Sequence, residues 1–273
     1  MRFTKMNGAG NDFILINNMV EGLDHSVFPA LARTLCHRRL SIGADGLMVV
    51  ERPGAGGDYR MLFYNADGSA GEMCGNGARC ICRYGREAGL AGDEQTVETP
   101  SGIVTGCRID RRNYRIRLTD PSVLRLDCQA EACGRRWDCS YVELGTPGLP
   151  HAVVPFPGLA QKSMEEMREL GRELRWAPAF PKGANVNFCD ITGPDQVTEL
   201  TYERGVEDFT YACGTGTGSA VLVLTLTGRV SGENVEVSVP GGRLRVTIDR
   251  EGDAVKAIWL TGPTNIVCEG EVR

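Results

Sequence analysis

Cys74-Gly75-Asn76-Gly77 and Cys213-Gly214-Thr215-Gly216 are one turn written twice, 139 residues apart. Four further pairs keep the same order and nearly the same spacing. Gly10-Asn11-Asp12 is echoed by Gly148-Leu149-Pro150, Gly43-Ala44-Asp45 by Gly183-Ala184-Asn185, Val97-Glu98-Thr99-Pro100 by Val237-Ser238-Val239-Pro240, and Leu118-Thr119-Asp120-Pro121 by Leu260-Thr261-Gly262-Pro263. A period this long exceeds that of any solenoid repeat and marks a duplicated domain. The 273 residues therefore divide into homologous halves, 1–122 and 123–273. The join falls between 120 and 140, and the last ten or so residues are free to pack back on the first half.

Both halves share a coarse grammar. An opening strand (12–17 in the first) leads to a helix, predicted over 26–39 with Ser26 as N-cap and over 159–175 in the second half. Alternating strands follow, then the Cys-Gly-x-Gly turn, then a helix beginning in small residues, at 78–88 and 217–226. The second of these is nearly all apolar and belongs deep inside its domain. Strands such as 235–239 and 244–248, joined through Pro240-Gly241-Gly242, close each half. The expected fold class is α+β: two mixed α/β domains, with the repeated turns facing one another across an interdomain cleft.

A cysteine followed by glycines at the mouth of a helix has direct chemical uses. The glycines let a ligand approach the backbone, and the free N–H groups of the first turn form an anion site. The same dipole lowers a thiol from about 8.5 to roughly 3.5–7.5, so that it exchanges a proton near neutral pH. Two such thiols meeting one ligand from opposite sides could remove a proton from one face of an α-carbon and return one to the other, without a cofactor. Neither turn has the spacing of a dinucleotide or P-loop site.

Other readings of the cysteines are weaker. Cys36, Cys107, Cys189 and Cys268 sit in no motif, and Cys80, Cys82, Cys128, Cys133 and Cys139 lack the paired spacing of a zinc site, so no metal is expected. His25 and His37 read as surface residues at helix ends. The net charge of −5 argues against nucleic acid. No apolar run approaches the roughly 20 residues of a membrane span. Eleven cysteines, an odd number without a secretory signal, point to a reducing cytoplasm.

At these residues the chain resembles the diaminopimelate epimerase family. Asn65-Ala66-Asp67-Gly68-Ser69 through Met73-Cys74-Gly75-Asn76-Gly77-Ala78-Arg79-Cys80 is similar to that family's first cysteine signature. Tyr202-Glu203-Arg204-Gly205 with Ala212-Cys213-Gly214-Thr215-Gly216 is similar to its second. Lys5-Met6-Asn7-Gly8-Ala9-Gly10-Asn11-Asp12-Phe13 looks like its N-terminus, and the likeness spans nearly the whole chain.

The resemblance implies two domains related by pseudo-twofold symmetry, no pyridoxal phosphate, no metal, often a homodimer, and a small-molecule amino-acid substrate. It implies interconversion of LL- and meso-diaminopimelate on the route to lysine and peptidoglycan. Carried over by position, Cys74 and Cys213 exchange roles as base and acid, and His151 and Glu203 tune the thiols. The backbones of Gly75-Asn76 and Gly214-Thr215 hold the reacting carboxylate. Asn11, Asn65, Asn185, Glu203 and Arg204 bind substrate, with Asp45 at a position where an amide also occurs.

Two departures touch the distal side of the site. Leu149 stands where the family has an amide, a change that could cost ~1–3 kcal/mol against a buried polar substrate. Phe209 stands where a carboxylate is usual. They keep open a racemase of the same fold acting on another amino acid, such as histidine. An isomerase of the phenazine-biosynthesis type would lack the cysteine pair. A binder or a thiol redox protein is the reading from outside the class.

Overall fold

The computed structural model describes every residue except Glu72, Met73 and Asp253; Met73 of the first cysteine signature thus lies outside the described residues. The chain forms two compact units, Met1–Ile116 with Thr261–Arg273, and Arg117–Leu260.

In the first unit, β1 (Arg2–Gly8) and β2 (Asn11–Asn17) form an antiparallel hairpin turned at Ala9-Gly10, both at positive φ. A one-turn helix, α1 (Asn18–Glu21), precedes α2 (Phe28–Leu35). Next come β3 (Gly46–Glu51), β4 (Tyr59–Asn65), α3 (Gly75–Glu87), β5 (Glu94–Thr99), β6 (Gly102–Arg108) and β7 (Asn113–Leu118). From β1 to β6 each strand pairs with the next, alternating antiparallel, parallel, antiparallel, parallel, antiparallel. The C-terminal strand Asn265–Glu271 adds antiparallel to β1.

β2 and β3 are buried on both faces, so their apolar runs are continuous, as in covered sheets. Ile14, Ile16, Leu47 and Val49 meet Phe28, Ala32 and Leu35 of α2. Residues of alternate parity face the other way: Phe13 and Met48 lie against Gly77 of α3. Each large aliphatic side chain so buried contributes about 1.5–3 kcal/mol.

The second unit opens with the long hairpin of β8 (Pro121–Ala132) and β9 (Arg135–Leu144), turned by Cys133-Gly134 with φ of 50° and 70°. The stretch 120–140 is therefore structured sheet rather than connector. There follow β10 (Leu149–Pro155), α4 (Met164–Arg175), β11 (Asn185–Gly193), β12 (Gln196–Glu203), the short β13 (Asp208–Phe209), α5 (Gly214–Leu226), β14 (Val235–Val239), β15 (Gly242–Glu251) and β16 (Ala254–Pro263). Along β9, β10, β11, β12, β14 and β15 the pairing again alternates antiparallel and parallel in the order of the first unit. The duplication is thus a duplication of topology. α5 packs on β9, β10, β11 and β15, and all but Thr215 and Leu226 of its residues are buried.

Helix ends differ from expectation where side chains compete for them. The 26–39 helix is shorter: Asp24, not Ser26, caps a 3-10 turn at His25–Val27, and α2 stops at Leu35. Arg38 instead turns back to Asp12 and Asp45. The 159–175 helix is a 3-10 turn followed by α4, which starts at a capping box between Ser163 and Glu166. Both Cys-Gly-x-Gly helices start three residues early, at the glycine after the cysteine. No helix among the described residues is long and apolar enough to cross a membrane.

Candidate active site

Cys74 is the N-cap of α3 and is exposed. The Gly77 N–H donates to its sulfur at 3.3 Å, which places the sulfur among the unpaired amides that open a helix. Behind it, Asn76 donates to Asn11 Oδ1 (2.6 Å) and accepts from Arg79 (2.7 Å). Asn11 donates to Asp45 (3.1 Å). Asp45 also takes Arg38 at 2.6 Å and the Asp12 N–H at 3.1 Å. Hydrogen bonds thus link Asn11, Asp45 and Asn76 behind the Cys74 turn, and Asp45 is held by Arg38. Asn65 ends β4 and donates to Ser69 within its own turn, outside that chain of bonds.

Arg79 was not among the expected site residues. Fully buried, it places a cation beneath the same turn, and burial lowers its guanidinium to about 10. Among the described residues its donors reach only Asn76 Oδ1 and the Gly75 carbonyl.

Cys213 caps α5 in the second unit but is buried. Burial, and then the Glu203 carboxylate, push its thiol up; Thr215, with Oγ1 3.6 Å from the sulfur, and the Gly216 N–H oppose this. Burial also raises Glu203. Asn185 accepts the Arg204 N–H at 2.7 Å, and the Arg204 side chain donates to the Lys182 carbonyl at 3.2 Å. His151 lies opposite Asn185 in the β10–β11 ladder. The structure therefore groups His151 and Asn185 on adjoining strands with Arg204 in the turn after β12, and brings Glu203 within electrostatic reach of Cys213.

His151 depends on a residue that sequence reasoning missed. Asn187 Nδ2 lies 3.2 Å from the Ala152 carbonyl, 3.3 Å from the Asn185 carbonyl and 3.3 Å from His151 Nδ1. Carbonyls only accept, so this atom is the amide nitrogen, and its two protons are shared among three acceptors. An amide nitrogen cannot itself accept, so the His151 Nδ1 that faces it carries no proton. The imidazole proton then sits on Nε2, which has no partner among the described residues. Burial lowers His151 to about 3, so it is a neutral N–H donor at physiological pH. A signal existed: Asn187 follows Asn185 by two and shares its strand face.

Leu149 opens β10, half-buried. Phe209 packs on Phe188 and Tyr202, with ring centroids 6.3 and 5.4 Å apart. The adjacent carboxylate, Asp208, pairs with Arg168.

Two topologically equivalent α/β units, each with a cysteine at a helix N-cap, show a duplicated α/β fold that racemases and epimerases also adopt. Among solved structures it is shared by a hydroxyproline epimerase from Agrobacterium vitis (TM-score 0.65, 19% identity, 99% of this chain and 91% of that one). A phenazine biosynthesis protein from Clostridium difficile also has it (TM-score 0.71, 9% identity, 100% and 99%). The chain belongs to the diaminopimelate epimerase family, whose model matches residues 3–123 and 145–267, and it is an isomerase. It is 37% identical to a diaminopimelate epimerase of Chlorobaculum tepidum, over 98% of this chain and 99% of that one. It is 35% identical to one from Aquifex aeolicus, over 100% and 98%.

Proposed function

We propose that the protein interconverts LL- and meso-diaminopimelate, with Cys74 and Cys213 as a cofactor-independent acid–base pair, in the pathway to lysine and peptidoglycan. The observation that carries this reading is the placement of both thiols as N-caps of equivalent helices. One thiolate takes the α-proton while the other thiol delivers a proton to the opposite face, and reversing direction exchanges the roles. The amides of Gly75-Asn76 and Gly214-Thr215 stabilise the carboxylate on which carbanion charge accumulates. Asn11, Asn65, Asn185, Glu203 and Arg204 bind the rest of the substrate, with Arg204 on the distal carboxylate. The neutral His151 contributes its Nε2–H. Eleven unbridged cysteines favour a reducing, cytoplasmic setting.

Leu149 favours a second reading, a racemase of the same mechanism acting on a single-centre amino acid such as histidine. Exchange of the α-proton in deuterated water under reducing conditions, followed by NMR, separates the two. Diaminopimelate is expected to gain deuterium and epimerise, and Cys74→Ala or Cys213→Ala to abolish both. Exchange on histidine instead would keep the mechanism and move the substrate. No exchange on either would defeat the two-thiol reading.

A further inference from the structure

β12 presents a row of polar side chains, Glu199, Thr201 and Glu203, at a spacing of two. Thr201 donates to Asn187 at 3.0 Å, and Glu203 raises the Cys213 thiol. Glu199 is 1% exposed and has no established use. Its Oε2 lies 2.5 Å from Thr217 Oγ1, which lies 3.0 Å from the Cys213 carbonyl. Among the described residues its Oε1 has no hydrogen-bond partner and no cation pairs with it.

The proton count of this chain is decisive. A threonine hydroxyl carries one proton, and the Cys213 carbonyl can only accept. Both contacts of Thr217 are hydrogen bonds at once only if Glu199 is protonated and donates to Oγ1. An ionised Glu199 would claim the Thr217 proton and leave the N-cap carbonyl with the Thr217 N–H alone, at 2.8 Å. It would also set a second negative charge within reach of the thiol.

We propose that Glu199 is a positioning residue for Cys213: as the neutral acid it sends a hydrogen-bond chain through Thr217 to the Cys213 carbonyl, and its ionisation sets an alkaline limit on the reactivity of that thiol. The proposal rests on Cys213 being one of the two proton-transfer groups. Burial raises Glu199 to about 8, opposed only by the Thr217 bond. The other titratable groups around it are Cys189, opposite on β11 and itself pushed up by burial, and Cys213 and Glu203. Arg229 and Asp190 act on Cys189. On β14, Glu236 is taken up by Arg243 at 3.2 Å.

The test is the pH profile of Cys213 alkylation by iodoacetamide, read from the mass of the Cys213 peptide in a Cys74→Ser background without substrate. Alongside it, kcat and KM for α-proton exchange are measured in the otherwise native enzyme. Glu199→Gln keeps a neutral donor to Thr217 and cannot ionise. It should match Glu199 enzyme below pH 7.5 and be alkylated about three- to tenfold faster above pH 8.5, the effect of removing one nearby like charge. Glu199→Leu should lower kcat at neutral pH with KM little changed, and Glu199→Gln should restore it. Identical alkaline profiles for Glu199→Gln and the native residue would overturn the proposal. If Glu199→Gln does not fold, Thr217→Val against Thr217→Ser decides: only the valine variant should slow Cys213 alkylation at pH 7, and equal rates would overturn the proposal. A changed alkylation profile with no change in exchange would leave the Glu199 chain standing and count against the catalytic reading of Cys213.

Discussion

Gly77 and Gly216 occupy the same place in the two Cys-Gly-x-Gly turns, yet alanine should act very differently at each. Within a helix alanine is favoured over glycine by about 1 kcal/mol, so the surroundings decide the sign. At Gly216 the new Cβ would stand 2.2 Å from Asn187 Oδ1, 3.2 Å from its Cγ and 3.3 Å from Cys213 Cβ. Asn187 is fully buried and tied to His151, Ala152, Asn185 and Thr201, so it cannot yield without breaking some of these bonds. Overpacking costs about 1–3 kcal/mol, and each polar group left unsatisfied adds about 1–3 kcal/mol. A net loss on the order of 3 kcal/mol follows for Gly216→Ala. At Gly77 the nearest atom is the terminal methyl of Met48 at 2.6 Å, the far end of a flexible side chain, with Cys74 Sγ at an ordinary 3.4 Å. Gly77→Ala should therefore stay within about 1 kcal/mol of the native protein once the helix gain is counted. Urea unfolding with unchanged m-values measures both. Equal midpoints for the two variants, or a Gly216→Ala protein as stable as the native one, would refute the role given to Asn187.

Two further outcomes follow from the carboxyls on β12. The folded-state value of Glu199, about 8 against an ordinary 4.5, means that the native state binds its proton more tightly than the unfolded chain. The stability this proton contributes is complete below about pH 4 and is lost as pH rises through 8. Glu199→Gln should therefore gain stability over the native protein between pH 5 and 8, by on the order of 4 kcal/mol; parallel stability curves would show that Glu199 is not held neutral. For Glu203→Gln, removing the carboxylate leaves burial as the principal force raising Cys213. Alkylation of Cys213 at pH 8 should rise by about tenfold, while KM for substrate rises with loss of the charge; a slower alkylation would contradict the electrostatic reading.

The sequence by itself determined the duplication, the α+β class and the family, because these rest on local signals. Glycines beside a cysteine, apolar runs and turn residues act through nearby backbone geometry, and their recurrence at nearly constant offset survives without knowledge of contacts. The capping box at Ser163 and Glu166 was equally local and could have been read. What the tertiary structure alone decided is the difference between the two turns. Beneath α3 lie Phe13 and Met48, with Arg79 buried behind the turn. Beneath α5 lie Asn187 and Glu199, the latter bonded to Thr217 of the helix, and Cys213 is buried where Cys74 is exposed. Those partners are set by strand register across separations such as the 36 residues between His151 and Asn187. Burial, which moves His151 to about 3 and Glu199 to about 8, belongs to the packed whole rather than to any residue, so two nearly identical motifs acquire different chemistry only when the chain is folded.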